Sequence, residues 1–233
     1  MDIEYHDNIY WDHTGFYNDS IGRLIMRKRH LLLLLGFVSI KLFAQETVID
    51  SVEKKWNFSA WAEYFIIPGE EDFFNPTFYA RSKNIHLEGR YNYEDRNTAS
   101  FWGGWRFKFG KGVKFVIVPM AGVVFGNTDG IAPGLEMEIS YKKFDLYSES
   151  EHVFDFSSKE NNFFYMYSEV AYRPIDAIRT GIMTQRTKVY ETDRELQRGV
   201  FGEYYFGRFR LGAFYFNPFA DDNFLIASFS VDF

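Results

Sequence analysis

Apolar and polar residues alternate along most of the chain with a period of two, the pattern of strands whose two faces meet different surroundings. In Ile85–Asn92 the residues Ile85, Leu87, Gly89 and Tyr91 alternate with His86, Glu88, Arg90 and Asn92, and Tyr93 follows on the apolar parity. In Leu135–Tyr141 the faces are Leu, Met, Ile and Tyr against Glu136, Glu138 and Ser140. Phe101–Phe109 sets Phe101, Gly103, Trp105, Phe107 and Phe109 against Trp102, Gly104, Arg106 and Lys108. Helical periodicity is nearly absent. Tight two- to four-residue connections alternate with longer polar ones. The short ones are Ser82–Asn84, Gly110–Gly112, Lys142-Lys143, Arg173–Asp176 and Gly207-Arg208. The long ones are Pro68–Phe73, Asp95–Ala99, Gly126–Gly134, Phe156–Asn162, Lys188–Leu196 and Asn217–Asp222. Eleven connections predict twelve antiparallel strands. If the short segment Phe74–Arg81 is not a strand, the number falls to ten.

The apolar faces are unusually aromatic: the chain holds 27 Phe and 16 Tyr, yet only 46% of its residues are hydrophobic. Trp56, Tyr93, Phe109, Tyr141, Tyr172 and Phe233 fall near segment ends, where the aromatic girdles of a membrane barrel would lie. A soluble sandwich would turn a mostly aliphatic face inward. An aromatic apolar face with a charged opposite face predicts the inverse arrangement, apolar outside and polar inside. In a membrane every backbone polar group must be bonded, so a strand-only protein closes into a barrel. The expected fold class is all-β, a transmembrane up-and-down antiparallel barrel.

The N-terminal region predicts export. Basic Met26–His30 precedes the apolar run Leu31–Ile40 and then Lys41-Leu42-Phe43-Ala44-Gln45, which matches a secretory signal peptide cut after Ala44. Residues 1–25 lie ahead of that signal and read as an over-long start. The division is then 1–25, a signal peptide over 26–44 and one barrel domain over 45–233.

The last strand is the sharpest local feature. Leu225, Ala227, Phe229, Val231 and Phe233 alternate with Ile226, Ser228, Ser230 and Asp232. This resembles the C-terminal strand signal of bacterial outer-membrane barrels. The resemblance implies Leu225, Phe229, Val231 and Phe233 as an insertion signal read by the barrel assembly machinery, and an integral outer-membrane location among lipid and lipopolysaccharide. Arg90–Glu94, Gln185–Thr187 and Gln197–Gly199 are also similar to segments of uncharacterised small outer-membrane proteins, a likeness that implies no activity.

Net charge of −6 excludes the basic face of a nucleic-acid binder, and zero Cys excludes disulfide scaffolds and thiol chemistry. On this register the inward face carries Glu63, Glu88, Glu136, Glu138, Glu169 and Glu203 with Arg90, Arg179, Arg210 and His86. A charge at mid-membrane on the lipid face costs about 2–4 kcal/mol, which drives these side chains inward. Glu149, Glu151, Asp232, Arg106, Lys108 and Lys114 share that face, as do bulky Trp61, Trp102, Phe201 and Phe214. Two readings follow: a mixed-sign filling that stabilises a structural barrel, or a narrow channel for small polar or anionic solutes. The alternative is a phospholipase-like outer-membrane enzyme. His86 is followed at the second position by Glu88 rather than serine, and His152 has Ser148 and Ser150 near it. The expectation is no catalysis, no cofactor, no metal and no nucleic acid.

Overall fold

A computed structural model describes residues 56–189 and 195–233, and the signal-peptide and start-site expectations lie outside them. Thirteen strand segments run in chain order: β1 Asn57–Ile66, β2 Phe73–Ser82, β3 Ile85–Tyr91, β4 Ala99–Trp105, β5 Phe107–Phe109, β6 Lys114–Phe125, β7 Gly130–Tyr141, β8 Phe144–Asp155, β9 Phe163–Ile175, β10 Ile178–Val189, β11 Glu195–Phe206, β12 Phe209–Phe216 and β13 Phe224–Asp232. Apart from β4 and β5, which do not pair with each other, consecutive strands pair antiparallel; β1 pairs with β13 and β4 with β6, so the sheet closes on itself. β4 and β5 are one stave. Ala99 faces Phe125 and Phe107 faces Ile117 in the same register, and the Arg106 N–H between them donates to the Asn84 carbonyl at 2.7 Å. The barrel therefore has twelve strands, β2 included. Closure leaves no unpaired edge.

The inversion of polarity holds around the wall. On β3 the residues His86, Glu88 and Arg90 are buried while Ile85, Leu87 and Tyr91 are exposed. On β13 Ile226 and Ser228 point inward, and Leu225 and Phe229 outward. At the end carrying the short turns, outward aromatics form a belt. Phe109 stacks on Phe115 (5.1 Å between centroids), Phe144 meets Tyr172 (5.0 Å), and Phe206, Phe209 and Phe229 stack in series. Such a belt matches one interface of a bilayer.

Inside, large and small residues alternate across neighbouring staves. The Trp102 indole lies flat on Gly122 and Gly134, where a β-carbon would fall 2.5 and 2.9 Å from the ring. Gly122 is glycine because of that approach.

The structure corrects the sequence reading at several places. Tyr93 faces the lumen rather than the girdle, because Asn92 takes a positive φ of 59° and reverses the alternation. The connection expected over Gly126–Gly134 is only 126–129. Pro133 and Gly134 lie within β7, where Gly134 makes room for Trp102. The strands beside Lys188–Leu196 reach Val189 and resume at Glu195. The turn expected at Arg173–Asp176 contracts to Asp176-Ala177, since β9 continues to Ile175, which pairs with Ile178 past a register shift.

Candidate functional site: the charged lumen

Of the predicted residues, His86, Glu88, Arg90, Glu136, Glu169, Arg179 and Glu203 are buried and Glu63, Glu138 and Arg210 line the interior cavity, and the fold gathers most of them around two arginines. Arg90, 4% exposed on β3, is the first hub. Its Nε donates to Glu88 Oε2 at 2.6 Å, its Nη1 to Glu151 Oε2 at 3.0 Å, and its Nη2 lies 2.8 Å from Glu149 Oε1. The guanidinium stacks between Tyr93 and Trp102, 4.3 and 4.8 Å from their ring centres. Glu94, which has the parity of Glu88 and Arg90 but was not among the predicted residues, accepts from Ser100 and the Trp102 indole and sits 3.7 Å from Arg90. Tyr93 and Tyr147 both donate to Glu149 at 2.9 Å. The network crosses from β3 to β8 through the barrel interior.

Arg179 on β10 is the second hub. It holds Asp145 and Glu169 at 2.6 Å and Glu203 at 2.8 Å, with Phe201 under its plane. Arg210 extends it, with Nη1 3.3 Å from Glu203, Nε donating to Ser230, and the guanidinium 3.9 Å over Trp61. Asp145 was legible in principle, since it alternates with Tyr147, Glu149 and Glu151 along β8. Burial of so many charges is tolerable only because they are paired, and removal of one partner leaves an uncompensated ion.

Glu63 and Glu138 join neither hub. Both face the cavity and form no ion pair within 4.0 Å among the described residues. Arg81 was not anticipated. It donates through Nε to His86 Nδ1 at 3.3 Å and stacks on Tyr79.

His86, Glu88 and Glu136 place their ligand-type atoms within 4.8 Å of one another, the arrangement a cation would need. The donors argue against a metal. Arg81 Nε–H donates a hydrogen bond to Nδ1, so Nε2 carries the ring hydrogen and donates to Glu88, while Arg90 already occupies Glu88 Oε2. Arg81, His86, Glu88 and Arg90 thus form one hydrogen-bonded line, with Glu136 beside it accepting from Tyr147.

The serines and histidine considered for hydrolysis lie on the other side of the wall. Ser148, Ser150 and His152 alternate with inward Glu149, Glu151 and Val153 and so face outward. Ser148 shares a hydrogen bond with Ser168 at 2.9 Å, and the His152 ring packs on Phe154.

Apolar clusters thicken two walls towards the loop end. Trp102, Met120, Val124, Ala132 and Val153 form one, and Phe201, Phe214, Phe216, Phe224 and Ile226 are the core of the other. Between the walls lies a cavity of about 650 Å³. Its lining includes Ser59, Lys143 and Asp232 at the turn end, Glu63 and Trp61 midway, and Phe65, Asn92 and Gln185 towards the loops. Trp102 and Phe201 stay in the walls, leaving Trp61 as the bulky indole beside the path.

No protein-family model matches the chain, and no curated protein matches it by sequence. Solved structures do. The KdgM porin aligns over 75% of this chain and 98% of its own, with a TM-score of 0.54 and 12% identity. A second KdgM structure, in complex with disordered oligogalacturonate, gives 0.58 at 12% identity, covering 75% of this chain and 99% of that one. The NanC porin gives 0.53 at 8% identity, covering 76% and 98%. At such identities the likeness is one of fold. With the closed twelve-strand wall and its outward apolar face, it gives the chain the fold of the bacterial outer-membrane β-barrels.

Proposed function

We propose that the chain is a narrow outer-membrane channel for small polar solutes. The observation that carries this reading is the cavity lining, which includes residues from the turn end of the barrel to the loop end. The likeness to porins supports it. Twelve strands fall between eight, whose interior side chains fill, and sixteen to eighteen, which leave a wide pore.

Anionic solutes fit this lumen less well than its arginine count implies. Arg90 and Arg179 each spend their donors on three carboxylates, so little remains for a passing anion. The carboxylates of Glu63 and Glu138 stand towards the cavity. Neutral or cationic polar solutes suit such a path better.

Single-channel recording from the barrel in a planar bilayer, wild type beside Arg179→Ala, is the test. The variant frees Asp145, Glu169 and Glu203, so conductance steps that turn more cation-selective support the channel. A folded but silent barrel overturns it. That result favours the second reading, a structural barrel, for which the two apolar clusters and the paired hubs filling much of the lumen speak.

A further inference from the structure

The outward surface is not uniform. On β1–β7, β12 and β13 the outward positions carry no charged side chain and, above the turn-end Ser82, no serine or threonine. On β8–β11 they carry Ser148, Ser150, His152, Ser168, Thr184, Arg186 and Arg198. These positions are contiguous. Ser148 is opposite Ser168, Ser168 opposite Thr184, and Thr184 opposite Arg198. Arg186 stands opposite Met166 and Leu196, both exposed. Opposed residues of an antiparallel pair share a face, so the two arginines belong to the outer wall.

Their height is informative. Arg186, Arg198 and His152 each lie eight residues above a turn-end position, Ile178, Phe206 and Phe144 respectively. At a rise of ~3.3 Å per residue and a tilt of ~40°, that is roughly 20 Å above the turn-end belt, just below the upper edge of a ~25 Å apolar band. Phe154 marks that edge two residues above His152. Both guanidinium groups can snorkel to the headgroup level.

Neither arginine forms an ion pair among the described residues, and no outward position described on β8–β11 is acidic. A second copy docked across a two-fold axis would bring the same cations together and neutralise nothing. An anion would be held by two forks of the geometry that suits phosphate. Below the arginines, outward Val170, Ile182 and Val200 are directly opposed and make an apolar shelf. The row next above the shelf sets the hydroxyls of Ser168 and Thr184 beside Arg198. From these features we infer that β8–β11 form a binding site for a phosphorylated outer-leaflet glycolipid, the lipid A part of lipopolysaccharide. Arg186 and Arg198 hold its phosphate, the hydroxyl row faces its ester and amide linkages, and the shelf carries its acyl chains. The inference does not depend on whether the lumen conducts.

Native mass spectrometry of the full chain in detergent tests it. The probes are lipid A with two phosphates, dephosphorylated lipid A and phosphatidylglycerol. The expected result is retention of the bisphosphorylated form over both others, weakened about tenfold in R186Q/R198Q through loss of the charge-assisted bonds. Equal retention of phosphatidylglycerol overturns the proposal. So does unchanged retention in the variant, or a variant that alters only the oligomeric mass, which would make the patch an interface between copies. Folding is read from heat-modifiable migration on gels. Should the double variant fail to fold, R198Q alone serves with the same readings.

Discussion

Arg90 on β3 donates to Glu151 on β8, 3.0 Å away across the barrel interior, although 61 positions separate them in the chain. No backbone pairing joins these strands. The contact ties together walls four staves apart, and the hub holds Glu88 and Glu149 as well.

Replacing Arg90 by methionine removes the cation from that hub and leaves three buried carboxylates facing one another. The expected loss is about 3–5 kcal/mol, as for other buried ion networks deprived of one partner. Urea unfolding of the barrel in lipid vesicles, read by tryptophan fluorescence, measures it. A midpoint unchanged from wild type would show that the hub contributes nothing to stability.

Gly122 tests the packing of Trp102. A β-carbon there would sit 2.5 Å from the indole, so Gly122→Val costs about 1–3 kcal/mol by overpacking. Trp102→Ala in the same chain restores much of the loss, since the two sites share one volume. Additive effects in the double-mutant cycle are the result against this packing.

Trp61 lines the cavity, with the Arg210 guanidinium stacked above it. Trp61→Ala enlarges the path, and single-channel conductance is expected to rise roughly twofold from the added cross-section. Trp102→Ala, in the wall, raises it less. Equal changes in the two variants would place the path elsewhere.

The final strand carries the remaining expectation. Leu225, Phe229 and Phe233 face outward with exposures of 37%, 42% and 52%, in register with the wall. Phe233→Ala is expected to slow assembly into membranes by the cellular machinery while detergent refolding keeps its rate. Pulse-chase assembly beside in vitro refolding separates the two. A variant that assembles normally in cells removes Phe233 from the insertion signal.

Strand number and the turns Lys142-Lys143 and Gly207-Arg208 were legible along the chain. A period of two assigns every residue to a side once one side is apolar. The reading failed where the backbone left that period. Asn92, in the left-handed region, turned Tyr93 inward and so supplied a further group to the first hub. It also failed where glycine and proline imitate a loop, as at Pro133-Gly134, because these residues signal either a turn or a close approach within a sheet.

The amino-acid order by itself determined which side chains enter the lumen and which meet the outer surroundings, because burying charge and exposing aromatics follow from local alternation. Only the tertiary structure decided which charges meet. Arg90 with Glu151, Arg179 with Asp145, and the contiguity of Arg186 with Arg198 depend on barrel closure and on the register between staves. The physical reason is that alternation repeats every two residues within a strand, whereas an ion pair needs a distance of about 3 Å between groups that chain position leaves tens of residues apart.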